Sequence, residues 1–210
     1  GRERRPDGFG DWVRPVSERP TREVSEEERR YEDGTDPQVL DVVSISMKQP
    51  VPHDHQQENH ELDSGYYWEK SGRISWEALQ PAVDGPQGPL WVNGISTRHG
   101  LNDQVPDGQL GGITRSLYLV RPENLVLVVR VEDNGMYPSR RRLRAEFDLN
   151  GVSYRLGVTD PSVERQYLAL ADGSYPIPRA LLCVSLGEAF NGYVYKLVAA
   201  VITPERAGGK

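Results

Sequence analysis

Glycine and proline interrupt this sequence so often that long regular elements have little room. The 210 residues include 21 glycines and 16 prolines, and the apolar segments between them are short. Proline lacks the backbone donor and has a fixed φ, so it ends helices and is confined to the edges or ends of strands. Short apolar runs bounded by turn residues are typical of a protein built from many small strands. We therefore predict a mainly β chain, folded as a partly open barrel or a pair of them.

The clearest local prediction is a β-hairpin over residues 142–159. Apolar and charged residues alternate on both arms, as they do in strands with one buried face. Asn150-Gly151 lies between the arms and suits a two-residue turn with two positive φ angles. In this register Glu146 lies opposite Arg155, so the two side chains are expected to form a cross-strand pair.

Further elements follow from capping and apolar patterns. Asp160-Pro161 predicts a helix start, with a capping carboxylate followed by proline at the first helical position. Ser25 and Glu28 form a capping-box pattern, and Ser75 is placed to cap a short helix that ends near Pro81. Further strands are predicted at residues 39–47, 117–120, 125–131, 181–186 and 193–202, with residues 187–192 joining the last two.

The charge balance argues against a protein that coats nucleic acid non-specifically. The chain has 25 Lys and Arg against 31 Asp and Glu, a formal net charge of -6, whereas such a coat needs a large cationic field. A local basic groove remains compatible with this balance.

Because Cys183 is the single cysteine, an intrachain disulfide and a cysteine-based zinc site are excluded. No apolar run approaches about 20 residues and no secretory signal pattern is present, so we expect a cytoplasmic protein without a membrane partner.

Three of the four histidines fall within residues 53–60. An extended chain would place His53 and His55 on one side, with Glu58 or His60 as a third metal ligand. The other interpretation is a polar loop whose imidazoles and amides satisfy backbone groups. We predict no metal and no cofactor, and keep a metal site at His53, His55, Glu58 and His60 as the alternative.

A basic run over residues 140–144 is the best candidate for contact with phosphates. Arg144 lies opposite Gly157 in the predicted hairpin and therefore has no evident cross-strand charge partner. Tyr137 is close enough in sequence to stack a base. A solvated face with cross-strand ion pairs is the other interpretation, since Glu146 alternates with these arginines.

Residues 66–68 place three aromatic side chains together, either as an anchor onto a core or as a stacking platform. The sequence has no phosphate-cradling glycine loop and no nucleophile-elbow motif. We therefore name no catalytic residue. Because catalytic groups meet in space rather than in sequence, this leaves enzymatic activity open.

Six segments together resemble the bacterial dual OB-containing domain family, in which two oligonucleotide/oligosaccharide-binding barrels are expected. These segments are Trp12-Val13-Arg14-Pro15-Val16-Ser17, residues 53–60 with Tyr67-Trp68, residues 90–94 leading to 100–103, Val158-Thr159-Asp160-Pro161, residues 182–188, and residues 195–202. The resemblance implies two small OB-like, partly open barrels packed together, joined by an irregular, Pro-rich insertion. We expect an N-terminal half at residues 1–115 that includes the insertion, and a C-terminal half at 116–210. Family members usually begin with an apolar strand, whereas this chain opens at Gly1-Arg2-Glu3-Arg4-Arg5, so the first strand of the first barrel is expected to be missing.

The resemblance also implies association with nucleic acid, in bacterial conflict or antiviral defence. We predict a non-catalytic module that binds single-stranded DNA, RNA or a nucleotide. The residues expected to meet phosphates are Arg14, Arg98, Arg144 and Lys196. Those expected to stack bases are Tyr67, Trp68 and Trp91, and those expected to read polar edges are His55, Asn59, Asn102 and Asp103.

Two alternatives belong to other classes. One is an enzyme that uses the histidine cluster to hold a divalent metal for phosphodiester hydrolysis. The other is a scaffold that docks a protein partner through the charged residues 1–36. Metal content discriminates the first, and deletion of residues 1–36 the second.

Overall fold

The computed structural model describes residues 1–133 and 138–208. It is mainly β, with several separate sheets, and among the described residues none of them closes into a barrel. The prediction of a mainly β chain with partly open, OB-like sheets is confirmed. None of the helices formed by these residues is long and apolar enough to cross a membrane.

The described residues form two compact units. The first unit comprises Gly1–Ala82, Thr114–Ser116 and the chain from Glu205, and the second comprises Val83–Ile113 and Leu117–Pro204. Residues 83–113, the later part of the predicted insertion, thus belong to the same unit as the C-terminal strands. The division into halves at residues 115 and 116 stays a prediction.

The second unit is built on one eight-stranded sheet. Its strands are β8 (Gln104–Pro106), β9 (Leu117–Val120), β10 (Glu123–Glu132), β11 (Arg140–Leu149), β12 (Val152–Val158), β13 (Gly173–Pro176), β14 (Leu181–Phe190) and β15 (Tyr193–Ile202), and its helix α3 is Pro161–Leu168. The strand order is β13-β10-β11-β12-β15-β14-β9, with β8 paired to β15. All pairings are antiparallel except that of β12 with β15.

Alternation along these strands supplies the core of the second unit. On β11 and β12 every second residue is buried, including Ala145 and Leu156 at 0% exposure. Phe147 and Tyr154 stack with ring centroids 5.3 Å apart, and Val163 of α3 joins the same cluster. Burying apolar side chains of this size stabilises the fold by about 1.5–3 kcal/mol each, and the opposite face of the strands is left for charged residues.

The first unit contains three small sheets. They are β1 (Arg2–Arg5) with β2 (Gly8–Trp12), β3 (Arg14–Val16) with β6 (Asn59–Leu62) and β5 (Met47–Pro50), and β4 (Asp41–Ser44) with β7 (Glu69–Arg73). Its helices are the single turns α1 (Glu26–Arg29) and α2 (Trp76–Leu79). The buried apolar residues include Leu62, Trp76 and Ala82.

Most predicted elements are confirmed. The hairpin has the predicted register, with Glu146 opposite Arg155 and Arg144 opposite Gly157. The capping box of Ser25 and Glu28 is present, and Asp160 caps α3 by accepting from two backbone N–H groups.

Two strand predictions are wrong. Residues 39–47 are not one strand, because Asp41–Ser44 and Met47–Pro50 belong to different sheets. Residues 187–192 are not a loop, because β14 continues to Phe190. The turn to β15 is Asn191-Gly192, whose φ angles of 53° and 81° repeat the Asn-Gly chemistry of the first hairpin.

Candidate nucleic-acid interface

One face of β10, β11 and β12 carries four arginines. Since Leu143, Ala145 and Phe147 enter the core, the intervening side chains of β11 lie on the opposite face. The register places Arg130 of β10 directly opposite Arg142 of β11. We call the set Arg130, Arg142, Arg144 and Arg155 the arginine face.

Two of these arginines have carboxylate partners. Arg144 donates two hydrogen bonds to Glu132, with 2.8 Å from Nη2 to Oε2, and lies 3.7 Å from Asp103. The prediction that Arg144 lacks a charge partner is therefore wrong, because Glu132 at the end of β10 reaches it. Arg155 donates to Glu146 over 2.8 Å, which confirms the predicted cross-strand pair.

Arg130 and Arg142 are in a different situation. Both are exposed, and neither forms an ion pair with any residue in the described part of the chain. Burial raises the pKa of Glu164, while the charge of Arg142 acts on it in the opposite sense. Like charges directly opposite each other destabilise a strand pair, so an anion bound between Arg130 and Arg142 would relieve this repulsion.

The segment 94–103 is fixed against β12 beside this face. Leu101 and Arg155 exchange two backbone hydrogen bonds of 3.1 Å, and Asn102 donates from its side chain to Ser153 O over 3.0 Å. Asp103 is 3% exposed and accepts from the backbone N and the Oγ1 of Thr97. Asn102 and Asp103, predicted to read a ligand, are thus engaged in holding the loop.

Gly100 is required for this loop conformation. A Cβ at this position would lie 1.8 Å from a carboxylate oxygen of Asp103, so the carboxylate would have to move and give up its hydrogen bonds from Thr97. The fixed loop presents Arg98 to solvent. Next to it, His99 Nε2 lies 2.7 Å from Asp133 O.

A small cavity lies within this arrangement. Its volume is about 60 Å³, and it is lined by His99 together with Arg130, Arg144 and Arg155. Cationic side chains from three strands and one imidazole therefore line a single recess, together with the carboxylates of Glu132 and Glu146. Guanidinium groups in such a setting are suited to phosphate oxygens, which accept charge-assisted hydrogen bonds.

Two other predicted contacts of the second unit are not on this surface. Lys196 is 0% exposed, and its Nζ donates to Val92 O over 2.7 Å and to Asn93 Oδ1 over 2.6 Å. Burial lowers the pKa of Lys196 to about 7. Trp91 is half-buried against the core, with its ring 5.2 Å from that of Tyr118. Lys196 therefore supports the fold from a fully buried position, whereas the stacking role of the half-buried Trp91 stays a prediction.

The remaining predicted residues lie in the first unit. Arg14 donates to Ser116 Oγ over 2.7 Å and lies 3.7 Å from Glu58. His55 and Asn59 are buried, at 4% and 1% exposure. Tyr67 is 49% exposed and Trp68 is half-buried. Tyr137 lies outside the described residues.

The histidine cluster does not converge on a common centre. His53 is exposed, whereas His60 Nδ1 lies 3.0 Å from Glu58 O. Glu58 accepts from Ser116 Oγ instead of facing the imidazoles. Within residues 1–133 and 138–208, no group of three or more His, Cys, Asp or Glu side chains is arranged to hold a metal ion.

The arginine face therefore adds residues that sequence reasoning missed. The sequence pattern assigns no binding role to Arg130, which lies in the predicted strand 125–131, and it predicts Arg155 only as the partner of Glu146. The signal was present in the sequence, since aligning β10 with β11 would have placed Arg130 beside the basic run. The sequence alone does not give this alignment, because the pattern leaves the length of the connection between the two strands open.

The second unit is an open, mainly antiparallel sheet, which is consistent with an OB-like, partly open barrel, a fold that binds oligonucleotides and oligosaccharides. The family model of the dual OB-containing domain matches residues 1–201. The chain belongs to this family, which confirms the resemblance found in the sequence. Searches of curated proteins and of solved structures found no match.

Proposed function

We propose that this protein is a non-catalytic module that binds single-stranded nucleic acid on the arginine face of its second unit. The supporting observation is the exposed pair Arg130 and Arg142, which lie opposite each other on adjacent strands and form no ion pair with any of the described residues. Phosphates of a single strand would lie between these guanidinium groups, where each contact releases counterions and contributes to affinity.

The neighbouring cations extend the path for a strand. Arg98 projects from the fixed loop, and Arg144 and Arg155 are held in place by Glu132 and Glu146. An arginine with a fixed position loses less side-chain entropy when it binds, which favours a defined backbone path. Within this proposal Lys196 and Asp103 hold the neighbouring loop segments in place and do not touch the ligand.

Binding is measured by fluorescence anisotropy with labelled single-stranded DNA, single-stranded RNA and duplex DNA. Substitution of Arg130→Gln or Arg142→Gln is expected to weaken single-strand binding by roughly tenfold, the effect of losing one charge-assisted hydrogen bond. Arg165→Gln is the matched control, because Arg165 is also exposed and lies in the same unit. Equal losses in all three variants, or no binding by the unmodified protein, would contradict the proposal.

The implied role in bacterial defence stays a prediction.

A further inference from the structure

The first unit contains a cavity that the arginine face does not involve. Its volume is about 770 Å³, and its wall includes the aromatic side chains of Tyr31 and Trp68. The backbones of these two residues form a parallel bridge, which fixes them relative to each other. A cavity of this size is in the range of pockets that hold a small ligand or a side chain of a bound peptide.

The charge of the wall is opposite to that of the arginine face. Five acidic residues line the cavity with one lysine: Glu32, Asp33, Asp36, Asp41 and Glu69, with Lys70. Two of the five are neutralised within the protein. Asp41 is paired with Lys70 at 2.8 Å and with Arg73 at 2.9 Å, and Asp36 lies 3.3 Å from Arg29.

The other carboxylates are available to a ligand. Glu32 and Glu69 are exposed and form no ion pair with any residue in the described ranges. Asp33 accepts two hydrogen bonds from Thr35, which lower the pKa of its carboxyl group and keep it ionised. An anionic ligand such as a phosphate would be repelled here, whereas a cation would be attracted.

The indole of Trp68 adds an aromatic surface to the acidic wall. A cation is attracted by the face of an indole ring as well as by carboxylates. The ligand chemistry indicated is thus a cation, which a peptide segment with arginine or lysine side chains provides.

Neighbouring residues already show the expected type of contact. Tyr66 and Tyr67 precede Trp68 and are 64% and 49% exposed. The guanidinium carbon of Arg30 lies 5.9 Å from the centroid of the Tyr67 ring, within the range of a cation–π interaction. Within the aromatic segment 66–68, the ring of Tyr67 thus already contacts one guanidinium group of the chain.

We propose that this cavity is a docking site for a basic peptide segment of a partner protein. An arginine or lysine side chain enters beside Glu32 and Glu69 against the aromatic wall. The chain would then join two ligands of opposite charge, a nucleic acid on the second unit and a cationic protein segment on the first. Under this inference the predicted protein partner contacts the cavity.

The test is direct binding of a labelled peptide in which arginine alternates with glycine, with both termini blocked. The comparison peptide contains citrulline in place of arginine, which keeps the shape and removes the charge. The arginine peptide is expected to bind the full chain, and the citrulline peptide to bind at least about fivefold more weakly, since even exposed charge pairs contribute measurably when several act together. Equal binding of the two peptides, or no binding of either, overturns the proposal.

Substitutions place the binding at the cavity. Glu32→Gln with Glu69→Gln is expected to weaken binding of the arginine peptide about fivefold, because two partnerless carboxylates are lost. Glu23→Gln with Glu77→Gln is the matched control, since these are exposed glutamates of the same unit that do not line the cavity. Equal effects of the two double variants would also overturn the proposal. No nucleic acid is involved, so failure here leaves the arginine face untouched.

Discussion

At the scale of single residues, the most unusual group in the second unit is the buried ammonium of Lys196. It is 0% exposed and bonded to a backbone carbonyl and to the amide of Asn93. The Asn93 amide in turn donates to the Tyr154 hydroxyl, which accepts from Leu90 N over 2.8 Å. This chain of hydrogen bonds attaches the segment around residue 92 to the core of the sheet.

Lys196 should make the stability of the protein depend on pH. Its pKa is about 7 in the folded chain against 10.5 ordinarily, so between these values the unfolded chain binds a proton that the folded chain does not. The free energy of unfolding should therefore rise with pH above about 7, by up to about 1.4 kcal/mol per pH unit. Tyr31, whose pKa is raised to about 12, acts in the opposite sense only above pH 10.

Urea unfolding between pH 7.5 and 9.5 measures this contribution. Lys196→Met should remove the rise, whereas the exposed Lys48→Met should keep it. If the unmodified protein and the Lys196→Met variant change in parallel with pH, then Lys196 is not responsible.

Residue pairings were only partly predictable. The hairpin register gave the pair of Glu146 and Arg155, because two-residue turns determine which residues face each other. It could not reveal that Glu132 binds Arg144, since that depends on how β10 ends. Lys196 was expected on the surface because it is a polar residue in an alternating strand. It is buried because Val92 and Asn93, which are distant in sequence, cover it.

At the scale of elements, α3 depends on one carboxylate. Asp160 is 1% exposed and accepts from Ser162 N and Val163 N at 3.2 Å. Its second oxygen accepts from Val201 N of β15 over 3.1 Å. The residue therefore both caps the helix and joins it to a central strand.

Replacing Asp160 should cost more than the loss of an ordinary helix cap. Asp160→Ala removes the cap, worth about 0.5–2 kcal/mol, and a buried acceptor, worth about 1–3 kcal/mol. We expect chemical denaturation to show a loss of roughly 2–4 kcal/mol. Asp160→Asn should recover part of it, because the amide keeps one acceptor oxygen. A loss below about 1 kcal/mol for the alanine variant would mean that the bond to Val201 contributes little.

Strands with local signals were well predicted, and those without were not. The residues of β9 and β15 match the predicted ranges, because apolar runs there end at clear turn residues. β14 was predicted too short, since Gly187 and Glu188 resemble a loop. Glycine and glutamate are tolerated in a strand when an adjacent strand pairs with its backbone. Here β15 pairs with β14 as far as Phe190.

At the scale of the whole molecule, the net charge of -6 coexists with an arginine face of four cations. The sequence predicted a local basic region but not which arginines form it, because these arginines come from three strands that only the folded sheet brings together. It also could not assign residues 83–113 to the second unit, since few local patterns tie that segment to strands far away in sequence.

The salt dependence of binding should report the number of phosphates that the arginine face engages. Arg130 and Arg142, the two members of the face that form no ion pair among the described residues, predict that log K falls with log salt with a slope of about -1.4, from about 0.7 per phosphate. Arg130→Gln should make this slope shallower by about 0.7, whereas Arg165→Gln should leave it unchanged. Anisotropy titrations at several salt concentrations give both slopes. An acidic protein attracts an anionic strand only through local cations, and salt weakens those contacts. A slope near zero would therefore show that the affinity does not come from phosphate contacts, which would contradict the proposed function.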